Sequence, residues 1–517
     1  MNLTAYLSMN ARKYPQKEAL IAGEKRITFQ QWHDTANQMA GYLQRLGLGK
    51  GDKVILMMPN CPEFAVMHVA VIRCGAIVIP INARSTRQDV VYLLADSDAK
   101  GIIVHEMLRP ALEEIQNVEN GVIMMTTGQG TGNWLGLANG IEELTAEELK
   151  ALLEIEDELT EDDEVSILYT SGTTGRPKGV LFTQRNLLTV ATMMAMEMNI
   201  KPESRILQLM PLSHSAPLHL LFVASIIVGA AQVLAPTFSP DLLLELTQTE
   251  KATHFFGAPV AYLLTMRHPH FHQYDLSSVT HWIYGGAPLS REMAEQVEKF
   301  YGREKLVSVY GLTEAGPSGA CLRHARHPEK AGSIGNTGVM FTELEVVDEQ
   351  DQPVQPGGIG EIRIRGEGSM KAYYKNPEAT GETRRNGWIY SGDMARVDED
   401  GFIWIIDRKK EMMITGGVNV FPKEIELELE KHPAIQELAV VGIPHPEWGE
   451  TIKAFIVLKE SELAKADEVD WGQELRQFLQ GKIADYKIPR IVECIAALPR
   501  NSNGKILKSL LRNGSLS

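Results

Sequence analysis

Between residues 28 and 105 the chain alternates two kinds of apolar pattern, and that alternation restricts the available folds more than any other feature. Phe29, Trp32, Ala36, Met39, Leu43 and Leu46 recur at helical spacing, and Gly47 stops the run. Residues 53–58 then read as a strand, 63–74 as a helix and 76–81 as a buried strand, followed by a polar helix and a strand over 101–105. Strands alternating with helices imply a parallel sheet covered on both faces. The pattern resumes from Val165 to about Tyr310. From Leu344 it gives way to short strands and turns, with Gln355-Pro356-Gly357-Gly358 as a clear turn, which predicts a small β subdomain. The polar, then acidic, stretch 126–164 reads as an excursion. Beyond Arg408, a helix over 423–431, strands near 439–443 and 454–458 and a helix over 474–483 predict a compact α+β unit. The domain boundary is therefore expected at about residue 409. At 517 residues the chain exceeds one typical core and predicts at least two domains.

The net charge of −15 disfavours non-specific binding to nucleic acid or anionic lipid. Cys61, Cys74, Cys321 and Cys494 show no paired spacing, which argues against a disulfide framework or zinc site and for a reducing, cytoplasmic setting. No secretory signal is expected from Met1-Asn2-Leu3-Thr4-Ala5-Tyr6, and Ser515-Leu516-Ser517 is not a peroxisomal signal. The most apolar stretch, 220–234, is too short to span a membrane and reads as a buried helix running into a strand. Two patterns mislead. Gly128-Gln129-Gly130-Thr131-Gly132 lacks the third glycine of a dinucleotide fingerprint and reads as a turn. His268-Pro269-His270-Phe271-His272 has no carboxylate or cysteine spaced for metal binding and reads as a polar connection.

The densest chemistry lies in Tyr169-Thr170-Ser171-Gly172-Thr173-Thr174-Gly175-Arg176-Pro177-Lys178-Gly179-Val180, directly after an apolar run. Glycines relieve backbone crowding, the hydroxyls supply donors and Lys178 adds a cation. That mixture suits the phosphates of a nucleotide. It is not a Walker loop, because Pro177 stands where that pattern needs glycine.

This loop resembles the phosphate loop of the adenylate-forming superfamily of acyl-CoA synthetases, coumarate-CoA ligases, luciferases and peptide-synthetase adenylation domains. The other signatures follow in family order. They are Pro211-Leu212-Ser213-His214, Gly285-Gly286-Ala287-Pro288-Leu289, Tyr310-Gly311-Leu312-Thr313-Glu314, Gly360-Glu361-Ile362, Tyr390-Ser391-Gly392-Asp393, Asp407-Arg408-Lys409-Lys410-Glu411 and Asn503-Gly504-Lys505-Ile506. The set covers essentially the whole chain and is most like that of fatty-acid–CoA ligases. It implies an α/β fold. A large N-terminal domain, 1–408, would hold two parallel-type sheets with helices plus the small β subdomain. A small mobile α+β C-terminal domain, 409–517, would carry the transfer lysine.

The resemblance implies ATP, Mg²⁺ and coenzyme A as reactants. A carboxylate attacks the α-phosphorus of ATP to give acyl-AMP and pyrophosphate, and a thiol then displaces AMP. Bringing two anions together demands cations between them. Lys505 resembles the lysine bridging carboxylate and α-phosphate; by local sequence alone it reads as a solvated turn residue. Glu314 looks like the Mg²⁺ carboxylate, with Thr313 and Thr170 as phosphate contacts. Asp393 and Arg408 resemble the ribose contacts, although alone they read as a turn aspartate and a surface cation. Gly285, Gly286, Ala287 and Pro288 form an open turn suited to adenine, and Tyr310 stands to stack on it, a buried core tyrosine being the competing reading. Lys410 occupies the hinge position and Gly417 the position lining the pantetheine tunnel, where glycine admits a thin thioester arm.

Three departures stand out: Ser213 where an aromatic is frequent, His445 where aspartate is usual, and Asn501-Ser502-Asn503 before the terminal lysine. By register, His214, Leu218, Leu220, Phe222, Ala258, Val260, Leu263 and the stretch 316–320 border the acyl group. None is acidic, which disfavours an amino-acid substrate. Small residues there favour a medium or long fatty acid, with an aryl or cinnamate-like acid next. Loading of a carrier-protein thiol, a luciferase-type oxygenase and a non-catalytic nucleotide-binding regulator are the competing functions. Small carboxylic acid, ATP and CoA are the expected partners, without nucleic acid or a transmembrane segment. Oligomeric state is not readable, a homodimer being one option.

Overall fold

The computed structural model describes residues 2–117, 121–140, 144–170, 176–287, 289–415, 418–445, 448–465, 468–500 and 506–512. The chain divides into two compact units, Met1–Glu345 with Arg363–Tyr390, and Val346–Ile362 with Ser391–Ser517.

Two eight-stranded, mostly parallel sheets organise the larger unit. In one, Ile77–Ile81, Lys53–Met57, Gly101–Val104 and Ile123–Thr126 lie side by side and parallel. Their near-continuous Val, Ile and Met runs suit strands buried on both faces. The helix Phe29–Arg45 buries Phe29, Trp32, Ala36, Met39 and Leu43. It starts where the Thr28 hydroxyl accepts from the Gln31 amide while the Gln31 side chain accepts from the Thr28 amide, so two orphan donors are satisfied at once. It ends before Gly47, whose φ of +85° suits a residue without Cβ. Trp32 is fully buried, with its indole N–H donating to the Ala65 carbonyl at 3.2 Å. The other sheet orders Ala320–Arg323, Leu306–Tyr310, His281–Gly285, His254–Gly257, Arg205–Gln208, Ala231–Leu234, Glu18–Ala22 and Lys25–Thr28; only its two end pairs are antiparallel.

One departure from parallel order matters for the site. Lys178–Thr183 runs antiparallel to Glu164–Thr170, with Thr170 opposite Lys178. The glycine-rich loop therefore joins a hairpin and does not lead straight into a helix; the next helix, Gln184–Glu197, begins a strand later. Strands Thr342–Val347, Ile359–Gly366, Trp388–Val397 and Arg384–Arg385 form a five-stranded sheet with Ile403–Arg408, matching the predicted β texture. In the smaller unit, Ile435–His445 and Gly449–Leu458 make a long antiparallel hairpin. The helices Pro422–Leu429 and Trp471–Leu479 bury Ile425, Leu429, Trp471 and Leu475 in the core of that unit.

Four details differ from expectation. The excursion over 126–164 contains a helix, Ala146–Glu158, started by a Thr145–Glu148 capping box. The helix expected to reach residue 483 ends at Leu479, because Gln480 turns extended and Gly481 adopts φ +76°. The 220–234 stretch enters its strand as expected, but Ala216–Val223 is wound as a π-helix before the α-helix Ala224–Val228. His268 does meet a carboxylate, Asp241, at 3.0 Å, although no group of three metal-ligating side chains occurs among the described residues. No described helix is long and apolar enough to cross a membrane.

Candidate active site

His281–Gly285 and Leu306–Tyr310 are parallel neighbours, with Gly285 opposite Val309. The turn Gly285-Gly286-Ala287 and the turn from Gly311 to Glu314 thus leave the same edge of the sheet, the carboxyl-end position where open α/β sheets bind ligands. Glycine is required at two places by close approach. A Cβ on Gly285 would lie 2.5 Å from the Val309 carbonyl oxygen, and one on Gly311 would overlap the Pro317 carbonyl. Tyr310 ends its strand half-buried, opposite Ala320, and is not a fully buried core tyrosine.

The Pro211–His214 segment follows Arg205–Gln208 and closes with the His214 amide donating to the Pro211 carbonyl at 3.0 Å. Asn60 staples it. The Asn60 amide donates to the carbonyls of Gln208 (3.0 Å) and Met210 (2.9 Å), and its oxygen accepts from the Leu212 amide at 2.9 Å. Next in sequence, Ser215 shares a 2.9 Å hydroxyl–hydroxyl bond with Thr313. Burial holds the His214 imidazole below its ordinary pKa, so the ring is neutral near pH 7.

Glu314 is held by a residue the sequence did not single out. The Tyr373 hydroxyl donates to Glu314 Oε1 at 2.7 Å, and the Glu314 carbonyl accepts from the Met370 amide at 2.8 Å. Burial foremost, then the Glu314 charge, raises the Tyr373 pKa, so the phenol stays a donor. Tyr373 pairs opposite Val180, and Lys178 Nζ lies 5.1 Å from its ring centroid. The hairpin ends Thr170 and Lys178, Tyr373, Glu314, Thr313 and Ser215 therefore form one chain of neighbours. Tyr92 supports the hairpin, donating its hydroxyl to the Pro177 carbonyl at 2.9 Å.

In the smaller unit, Asp393 and Arg408 face each other across adjacent antiparallel strands. Arg408 Nε lies 2.8 Å from Asp393 Oδ1, and Nη1 donates to the Ser391 carbonyl at 3.0 Å. The carboxylate is buried, whereas the Arg408 side chain is 44% exposed. Glu361 steadies the turn, accepting from the Gly392 amide (3.0 Å) and from Lys409 Nζ (2.8 Å). Gly392 takes φ +70°. Lys410 sits exposed in the single turn Lys409–Glu411, where its carbonyl accepts from Arg512 Nη1 at 3.4 Å.

Ser171, Gly172, Thr173, Thr174, Gly175, Pro288, Gly417 and Lys505 lie outside the described residues. On either side of Lys505, Arg500 and Ile506 form an antiparallel bridge, and Lys508 Nζ lies 2.7 Å from the buried Glu426 carboxylate. Among the expected acyl-bordering residues, Leu218, Leu220 and Phe222 are buried, but Val260 is 58% exposed. The helix Pro259–Met266 turns Ala261, Tyr262 and Thr265 inward instead. Val260 therefore does not wall an enclosed cavity. Tyr373, Ser215 and Asn60 were missed. Asn376-Pro377 marks the start of the next helix, but nothing in the sequence marked Tyr373 itself.

Comparison with known proteins agrees in family. The AMP-binding enzyme family model matches residues 7–374, and that of the AMP-binding enzyme C-terminal domain matches 424–505. A long-chain-fatty-acid–CoA ligase of Bacillus subtilis is 34% identical, over 98% of this chain and 94% of that protein. A feruloyl-CoA synthase of Amycolatopsis is also 34% identical, over 97% of this chain and 96% of its own length. The crystal structure of ATP-bound MatB from Rhodopseudomonas palustris superposes with a TM-score of 0.84 at 26% identity, covering 99% of both chains.

Proposed function

The chain belongs to the AMP-binding enzyme family, and on that premise we propose that it is an AMP-forming acid–CoA ligase. A carboxylic acid attacks the α-phosphorus of ATP, giving acyl-AMP and pyrophosphate; the CoA thiol then attacks the acyl carbon and releases AMP. The observation that carries this reading is the chain Lys178–Tyr373–Glu314–Thr313–Ser215, which sets a cation, a carboxylate and hydroxyls beside the glycine-rich hairpin. A phosphate-transfer site needs that combination.

In this reading Lys178 and Thr170 attract the polyphosphate and Thr313 donates to the α-phosphate. The hard oxygens of Glu314, Thr313 and Ser215 suit Mg²⁺, which when bound would neutralise charge on the phosphate oxygens. Asp393 accepts from the ribose hydroxyls and Arg408 orients it. Gly285 to Pro288 and Tyr310 flank adenine. Lys505 bridges carboxylate and α-phosphate in the first half-reaction, and Gly417 lets the pantetheine arm pass in the second. The small domain from about residue 409 serves both by pivoting at Lys410. The scattered cysteines of the whole chain support a cytoplasmic setting.

A medium or long fatty acid is the favoured substrate, supported by the fatty-acid–CoA ligase relatives. An aryl acid is the second reading, supported by the feruloyl-CoA synthase at equal identity. Incubation with ATP, an acid panel and CoA, with pyrophosphate release followed with and without CoA, tests the proposal. Acid-dependent release plus acyl-CoA is expected. Acyl-AMP without acyl-CoA would point to a carrier thiol, and no release with any acid would overturn the reading.

A further inference from the structure

Two buried histidines lie next to residues expected by register to border the acyl group, His219 between Leu218 and Leu220 and His68 against Phe222, and the reaction uses neither. His219 lies midway along the π-helix Ala216–Val223, between Leu218 and Leu220, and is fully buried. His68, on the helix Pro62–Arg73, is also fully buried. Their rings are packed by aromatics. Phe182 meets His219 edge-on at 4.8 Å, and Phe64 and Phe222 flank His68 at 5.9 and 5.4 Å. Among the described residues neither nitrogen of His68 has a hydrogen-bond partner, nor has Nε2 of His219. Buried polar atoms are satisfied in the great majority of cases, and each exception calls for a reason.

The tautomer of His219 follows from its one bond. Nδ1 lies 3.3 Å from the Gly316 carbonyl oxygen, which can only accept, so Nδ1 carries the proton. In a neutral ring Nε2 is then an acceptor. Both rings are neutral: burial pushes His68 down to about 3, helped by the His219 field, and His219 to about 4. A neutral acceptor in apolar surroundings suits an O–H donor and repels a carboxylate. Winding as a π-helix adds a second pointer, since such turns are rare and concentrate at functional sites.

We propose that His219 selects acids that carry a hydroxyl on the acyl portion, the hydroxyl donating to His219 Nε2, with His68 against Phe222 as a second unpartnered ring. The inference rests on the acid-ligase reading and refines its substrate class. The hydroxyl can come from an aliphatic or an aromatic acid, and the experiment separates these sources.

kcat/KM is measured for matched pairs: ω-hydroxyalkanoates against their parent alkanoates over graded chain lengths, and para-hydroxycinnamate against cinnamate. The wild type should favour the hydroxylated member of one series by about tenfold or more, since a site built around a hydroxyl rejects the analogue lacking it. The series showing the preference identifies the source. His219→Leu should bring that ratio toward one, and His68→Phe should reduce it, with both variants checked for folding by their melting transitions. A ratio near one in the wild type, or a ratio unchanged in both variants, overturns the proposal. If no acid supports pyrophosphate release, the ligase reading fails on its own, and calorimetric binding of the same acid pairs still decides the hydroxyl reading.

Discussion

Glu314 and Asp393 are both carboxylates poised beside proposed nucleotide contacts, yet the two units hold them differently. In the larger unit Glu314 accepts from a neutral phenol, with Lys178 set over the ring and not on the carboxylate. In the smaller unit Asp393 is buried and paired directly with the Arg408 guanidinium at 2.8 Å. A carboxylate restrained by a neutral donor keeps its charge uncompensated and stays available to a cation. One already paired with arginine has its charge answered, and a carboxylate so neutralised suits neutral hydroxyl donors better than a cation. The contrast supports the proposed roles, with Glu314 toward a metal and the phosphates and Asp393 toward the ribose.

The contrast is broken most forcefully at Glu314. Glu314→Gln should lower acyl-AMP formation by roughly 10²–10³, the loss seen when one electrostatic transition-state contact is removed, while AMP binding by calorimetry stays near wild type. Loss of AMP affinity equal to the rate loss would merge the two roles and end the distinction. Asp393→Ala should do the reverse, weakening AMP by about 1.5–3 kcal/mol, the worth of hydrogen bonds to a charged group. Unchanged AMP affinity would contradict the ribose assignment.

Acid sharpens the comparison of the units themselves. His68 and His219 in the larger unit fold with pKa values near 3 and 4, below the ordinary 6.5. Between those limits the unfolded chain binds protons that the folded unit excludes, so stability falls as pH drops, by about 1.4 kcal/mol per pH unit per ring. Asp407 in the smaller unit is shifted upward, chiefly by burial, so its protonation favours the folded form as pH falls. Hydrogen exchange at pH 7 and pH 5, corrected for intrinsic rates, should show the segments around His68 and His219 loosening while the strand Ile403–Arg408 does not. Uniform loosening of both units would refute the assignment. The smallest effect is expected at Tyr373. Tyr373→Phe leaves Glu314 without its phenol donor and should raise the Mg²⁺ requirement by tenfold or less, about 0.5–1.5 kcal/mol, with kcat little changed.

The sequence disclosed what is local and periodic. The helix Phe29–Arg45 was legible because its apolar stripe, its Thr28 cap and Gly47 agree with one another. The buried strands were legible from their Val and Ile runs. The π-helix was not, because Ala216–Val223 is almost uniformly apolar and carries no periodicity to read. Contacts between distant segments were equally hidden. Tyr373 and Glu314 are 59 residues apart, and Asn60 and Leu212 are 152 apart. Such pairs are made by sheet order, with Tyr373 brought in by a two-residue strand that no composition rule marks. Candidate groups with their own motif, such as Glu314 and Asp393, were visible; the residues that aim them were not.

The two half-reactions of the proposed function are separable, and Lys505→Ala tests that most directly. Acyl-AMP formation is read by acid-dependent ATP–pyrophosphate exchange without CoA, and thioester formation from pre-made acyl-AMP is read separately. The expected result is a loss of roughly 10²–10³ in the first rate, with the second near wild type and an unchanged melting transition. Equal losses in both rates, or exchange that survives the substitution, would contradict it.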